Sequence, residues 1–350
     1  MRRILITTLL TLVLGSPAKL HATLAIPVVP VGNAGNANDT TGFGGVDYVY
    51  NIAMYEVTNG QYAEFLNSVD PSGGNGRGLY DDLMTTNANG GIDFTAGAAN
   101  GAKYSAKMGR LDNPVVFVSW YSALRFANWM HNGQGSVDTE SGSYTLLGGT
   151  PTPSNGSSVM RNGGATWVLP TESEWYKAAY YDADTASYFA YPTQTNSTPF
   201  SDEPAGGDGS SDSSNTANFQ KNDMTANGYD DGFAVTSSPS FSMTQNYLTD
   251  VGAYDDAEGP YGTFDQGGNV AEWTEALVGM TSERSVRGGD WFSGFSDLLA
   301  ASQEGEFPHT SFSTWGFRLA VVPEPSPLLL MGMIGTLSGL VRCLAKRRTR

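Results

Sequence analysis

Between Phe264 and Trp273 the chain reads Phe264-Asp265-Gln266-Gly267-Gly268-Asn269-Val270-Ala271-Glu272-Trp273, and two further glycine-tryptophan blocks follow, Arg287-Gly288-Gly289-Asp290-Trp291 and Trp315-Gly316-Phe317-Arg318. Paired glycines allow turns whose carbonyls point inward where a Cβ would block them. Asp265 and Glu272 bracket those carbonyls with carboxylates, which is the oxygen set a hard cation requires. A chain punctuated in this way has little room for long helices. Its 43 Gly beside 7 Trp, 17 Tyr and 16 Phe predict a globular body of irregular loops pinned by aromatic rings.

The charge distribution narrows the partners. Eight of the 19 basic residues fall in residues 1–22 and 342–350, which contain no acids, so the middle of the chain has 11 basic against 35 acidic residues and a formal charge of −24. Such a body repels nucleic acid and anionic membrane surfaces and suits cations, although solubility alone also accounts for the charge. The only cysteine, Cys343, lies in the basic tail, which excludes an intramolecular disulfide. Packing or bound metal must hold the loops instead.

Met1 to Ala22 has the parts of a secretory signal: Arg2 and Arg3, the apolar run Ile4 to Leu14, and the breaker Gly15-Ser16-Pro17 before a small residue. The alternative is a short membrane anchor, for which that run falls short of the roughly 20 residues a span needs. Residues 23–45 read as an extended lead-in, and Val46 to Ile52 as a period-two strand. Thr58 with Gln61 makes a capping box for an amphipathic helix that presents Tyr62, Phe65 and Leu66 on one face. Pro114 to Val118 predicts an apolar strand and Ser119 an N-cap for a second helix through Trp129. Thr171 with Glu174 is the strongest helix start, placing Trp175, Ala178 and Ala179 toward the core.

Three stretches, Tyr55-Glu56-Val57-Thr58-Asn59-Gly60-Gln61-Tyr62, Leu169-Pro170-Thr171-Glu172-Ser173-Glu174-Trp175 and the opening glycine blocks, resemble the formylglycine-generating enzymes, also called sulfatase-modifying factor domains. The resemblance covers residues 46–320 and implies an α+β, C-type-lectin-like fold with few short helices, small antiparallel sheets and much irregular structure. It also implies two structural Ca2+ sites. The first maps onto Asn218, the Phe219 carbonyl, Asp231 and the Phe233 carbonyl; the second onto Asp265, the carbonyls of Gly268 and Val270, and Glu272. Both sets offer oxygen and no soft or imidazole ligand, and calcium suits them better than zinc or copper. Asn, Asp and Gly also populate turns without any metal.

The family's oxidase chemistry needs a cysteine pair that binds copper. Its two positions correspond here to Ser293 and Leu298, a pocket-wall Arg corresponds to Gln303, and a Ser after the glycine pair corresponds to Asp290. A serine hydroxyl remains protonated near neutral pH and is a hard ligand, so no catalytic residue, copper or iron is expected. The histidines, His21, His131 and His309, are too few and scattered for an iron site. Asp290, Trp291, Ser293 and Gln303 are left as a candidate ligand surface, with Trp315, Phe292 and Phe295 as further candidates.

Residues 321–350 resemble a PEP-CTERM sorting signal: Pro323-Glu324-Pro325, an uncharged run from Leu328 to Val341, then Arg342-Cys343-Leu344-Ala345-Lys346-Arg347-Arg348. That resemblance implies export in a Gram-negative bacterium, passage through signal peptidase and an exosortase-type protease, and transient membrane anchoring by the C-terminal helix, with a plain anchor as the alternative. Delivery would be to the cell surface, outer membrane or extracellular matrix. The reading that follows is a non-catalytic, calcium-stabilised module for a glycan, peptide or matrix polysaccharide. An oxidoreductase acting on a protein or small thiol through another metal arrangement is the alternative.

Overall fold

Thr58, Ser119 and Thr171 each take an extended backbone and turn their hydroxyls back onto the amide three residues on, starting helices α1 (Asn59–Val69), α2 (Trp120–His131) and α3 (Glu172–Tyr180). At Thr58 and Thr171 the return bonds from Gln61 and Glu174 complete capping boxes, as the spacing predicts. Ser122 hydrogen-bonds Ser119 Oγ and the Gly78 carbonyl, which ties the first turn of α2 to the preceding loop.

The computed structural model describes residues 23–204 and 213–323. The strands that position the site are β1 (Val28–Val31), β2 (Tyr50–Ala53), β3 (Trp167–Val168), β4 (Gln220–Asn222), β5 (Asp231–Phe233), β6 (Ala271–Leu277), β7 (Arg284–Arg287), β8 (Glu304–Glu306), β9 (Trp315–Gly316) and β10 (Ala320–Val321). One sheet runs β1-β2-β10-β3 and is antiparallel throughout. A second runs β8-β7-β6-β9, with β9 parallel to β6. β4 and β5 form a separate antiparallel pair. The chain is α+β, mostly irregular between these pieces.

The core lies where α1 and α2 meet the first sheet. Tyr62, Phe65, Phe126 and Phe317 pack there with ring centroids 5.3–6.4 Å apart, and all four are fully buried. Burial of 150–250 Å2 per ring makes such clusters the chief apolar contribution of a loop-rich domain.

Two expectations change. The strand expected at residues 46–52 begins only at Tyr50, since Val49 and Tyr48 are exposed and cannot pair against a core. Residues 114–118 are buried but form no sheet strand: Val115 N donates to Val57 O, and Phe117 takes a left-handed backbone, φ 61°, that ends the extended run. The signal segment, Glu324, Pro325, the apolar run and Cys343 lie outside the described residues, with Pro323 at their border. Among the described residues no helix is long and apolar enough to cross a membrane.

Candidate functional site

Glu272 sits second in β6, fully buried, and its carboxylate is held by Arg318 from the segment between β9 and β10. Arg318 Nε donates to Oε2 at 2.7 Å, Nη2 donates to Oε1 at 2.6 Å, and Trp175 Nε1 adds a bond of 2.8 Å to Oε2. The remaining guanidinium hydrogens reach the carbonyls of Phe264, Ala53 and Met54. Glu272, one of the four oxygen donors expected for the second cation set, therefore faces a guanidinium that neutralises it. The signal for Arg318 was present in the Trp315–Arg318 block, but its partner could not be read from spacing.

Two more buried carboxylates adjoin this pair. Asn269 Nδ2 donates to Glu56 Oε1 at 3.2 Å, while Glu56 Oε2, 3.8 Å from Arg318 Nη2, accepts no hydrogen bond. Asp265 Oδ2 accepts from Gly252 N at 2.5 Å. With all groups ionised, three acids face one arginine. Burial, reinforced by Asp265, pushes the Glu56 carboxyl well above the usual range, and burial raises Asp265 to about 6 against the pull of Gly252 N and Arg318. Neither Glu56 nor its unpartnered oxygen was anticipated; it stands within the Tyr55–Tyr62 stretch.

The loop that carries Asp265 is shaped for close backbone approach. Asp265 and Asn269 both have φ 58°, and Gly268 has φ 83°. A Cβ on Gly268 would stand 2.3 Å from the Asn218 carbonyl oxygen, so only glycine fits. Asn269 is the hub: its N–H donates to Asn218 O at 2.8 Å, its Oδ1 accepts from Asn218 Nδ2 and Thr249, and its carbonyl accepts from Trp291 N. Among the described residues no three His, Cys, Asp or Glu side chains converge as a metal centre. A cation here would rely on backbone carbonyls beside Asp265 and Glu56, and the orphaned Glu56 oxygen in a buried acidic group fits that hard-ion chemistry.

Of the first expected calcium set, the Phe219 carbonyl lies against the β5 backbone, since Ser201 Oγ bridges it to the Gly232 carbonyl. β4 and β5 pair Gln220 with Phe233 and Asn222 with Asp231. Asp231 accepts from Gly228 N, and Asn218 Nδ2 donates to Tyr247 O and Asn269 Oδ1. The Phe219 carbonyl accepts from Ser201 Oγ at 2.6 Å and from Ala234 N, the residue after Phe233. The buried acid of this hairpin is Asp230, which pairs with Lys221 Nζ at 2.7 Å; a lysine amine already supplies the positive charge.

The candidate ligand surface divides into core and face. Leu298 is fully buried with Tyr191, Ala217 and Phe219, whereas Ser293 is half-buried and its carbonyl accepts from Gln220 N. Asp290 Oδ1 accepts from the amides of Phe292 and Ser293 at 2.8 and 2.9 Å, and burial raises its carboxyl to about 6 against those bonds. Gln303 Nε2 reaches Ser285 Oγ at 3.4 Å. Trp291 and Trp315 are buried; Trp291 stacks on Tyr247 with centroids 4.7 Å apart and planes 7° apart, and its Nε1 donates to Ser313 O. Phe241 (52% exposed) continues that stack to solvent, Phe292 (56% exposed) meets Trp291 edge-on, and Phe295 is exposed as well.

The histidines stand on different elements: His131 Nδ1 bonds Thr166 Oγ1 at the end of α2, and His309 is an exposed loop residue beside Phe307.

The family model described as "Sulfatase-modifying factor enzyme 1-like domain" matches residues 45–322. No curated protein matches the chain. Among solved structures, CarF is similar at 21% identity and a TM-score of 0.53, covering 86% of this chain and 99% of that one. Treponema denticola variable protein 1 is similar at 19% identity and a TM-score of 0.48, covering 85% and 95%. At these identities the likeness to CarF concerns fold alone.

Proposed function

This chain belongs to the sulfatase-modifying factor enzyme 1-like family, and from that premise we propose that it is a non-catalytic, calcium-stabilised member that works as a binding module after export. The observation that carries the reading is the pair of positions at which the family resemblance implies copper-binding thiols. One is Leu298, packed in a satellite core, and the other is Ser293, on a half-buried loop. An alkyl group cannot bind a metal, and a single hydroxyl does not replace two soft thiolates. In place of a thiol pair the same loop carries Trp291 with Phe292 set edge-on against it, and the exposed Phe292 suits contact with a partner.

Calcium would be held by Asp265 and Glu56 together with the carbonyls of Gly268 and Val270, one ion per chain. It would offset the excess of buried carboxylates and fix the glycine loop. The secretory segment and the Pro323-Glu324-Pro325 tail support delivery to the surface or matrix of a Gram-negative bacterium through signal peptidase and an exosortase-type protease.

The test is elemental analysis of the purified chain after dialysis against calcium, copper and iron together, with oxygen uptake measured on the same sample. One calcium without transition metal supports the module. Stoichiometric copper or iron with oxygen uptake overturns it in favour of an oxidoreductase.

A further inference from the structure

A cavity of about 360 Å3 opens where the loop before α2, the helical turn at Leu83–Thr86 and the segment after β8 meet. Its lining includes none of Glu56, Asp265, Glu272 and Arg318, and none of Asp290, Trp291, Ser293 and Gln303. Its volume falls at the lower end of the roughly 300–1,000 Å3 range of small-molecule sites, too small for a folded partner. We propose that this cavity is a binding site for a neutral saccharide unit, with Phe117 as its apolar floor and Asp81, Asp82, His309 and Ser311 as its hydrogen-bonding wall.

Three observations lead there. Phe117 is the one aromatic residue with a left-handed backbone among the described residues, held by a bond from its N–H to the Phe312 carbonyl. Asn75, also lining the cavity, is left-handed too. Strain of this kind survives where surrounding structure over-determines it, and it concentrates at ligand sites.

The wall is chemically one-sided. Asp81 is fixed in place, with Oδ1 accepting from Leu83 N at 2.9 Å and Oδ2 accepting from Ser311 Oγ at 3.2 Å, which joins the two sides of the opening. Asp82 and His309 stand exposed on the rim. Neither lysine nor arginine lines the cavity, so phosphate, sulfate and uronate are disfavoured by the two carboxylates. The same carboxylates accept hydrogen bonds from hydroxyl groups, Ser311 and the imidazole both donate and accept, and the Phe117 ring offers a face for C–H groups. A sugar ring presents hydroxyls at its edge and C–H groups on its face, which matches that division.

The proposal rests on the binding-module reading for its sense, but its measurement is separate. Saturation-transfer NMR on the intact chain in calcium buffer would be run with the methyl glycosides of glucose, galactose, mannose and N-acetylglucosamine, and with methyl glucuronide and glucosamine as charged controls. The expected result is saturable contact with at least one neutral glycoside, weakened tenfold or more in both Asp82→Ala and His309→Ala. Both positions are exposed, and an unchanged melting temperature in each variant confirms the fold. No contact with any neutral glycoside, contact unaffected by both substitutions, or preference for the glucuronide or the amine overturns the proposal. Neutral-sugar contact in a chain that also loads copper and consumes oxygen would overturn the non-catalytic reading and leave the cavity assignment standing.

Discussion

Arg318 grips Glu272 through two parallel hydrogen bonds of 2.7 and 2.6 Å at a depth where neither side chain meets solvent. The segment after β9 is thereby fastened to the second residue of β6, and the same guanidinium reaches the Ala53 and Met54 carbonyls at the end of β2. One side chain connects both sheets. Glu272→Ala removes both of those bonds and leaves Arg318 only the more distant Glu56, 3.8 Å away, and breaking a buried pair costs about 3–5 kcal/mol. Urea denaturation should show that loss as a lower midpoint with the slope unchanged.

Calcium should raise the melting temperature and EDTA should lower it. At a free concentration 100 times its dissociation constant a ligand contributes roughly 2.7 kcal/mol. The expected variant is Asp265→Asn, which keeps a carbonyl oxygen for the Gly252 amide but removes a charge; it should abolish most of the response to EDTA. Differential scanning calorimetry with and without chelator provides the measurement, and a melting curve indifferent to EDTA refutes the calcium reading.

Asp290 should make stability fall as pH rises. Its ordinary value is 3.8 and burial raises it to about 6 in the folded chain, so the native state holds this proton more tightly than the unfolded state does. Its contribution is most favourable below about 4, declines as pH climbs to about 6, and stays at the lower level above that. Asp290→Asn preserves an oxygen for the Phe292 and Ser293 amides and removes the buried charge. The variant should be more stable than the parent at pH 8, with the difference vanishing near pH 4. Denaturation midpoints at both pH values decide it.

The aromatic stack should divide sharply by burial. Trp291→Ala removes a ring packed on Tyr247 and should cost about 3–5 kcal/mol. Phe292→Ala, one residue on and 56% exposed, should alter stability by no more than about 0.5 kcal/mol. Any partner that docks on this face should respond to the second substitution, which makes it the cleaner probe of binding in solution.

Local chemistry was the legible part of the sequence. The capping pairs Thr58–Gln61 and Thr171–Glu174 act within three residues, and both helices start where those pairs place them. The α+β class and the glycine loop followed from composition and from the family blocks. What could not be read was long-range pairing: Glu272 with Arg318, Glu56 with Asn269, and Asp230 rather than Asp231 as the buried acid of its hairpin. Adjacent aspartates alternate between faces of a strand, and a left-handed Asp230, φ 55°, resets which of the two points inward. Phe117 was misread for a related reason, because an apolar run predicts a strand whatever backbone its last residues adopt.

The first and last described strands flank the same neighbour, yet their seats differ. β1 is an edge joined to β2 by four residue pairs, while β10 lies between β2 and β3 with two pairs on each side. Force applied at residue 23 meets β1 first, like the outer slat of a blind, and must draw Val29 and Val31 out of the core as it opens that one ladder. Force applied at residue 323 must part the sheet in two. The two ends of the domain therefore differ in what a pull must undo: one ladder at β1, two at β10.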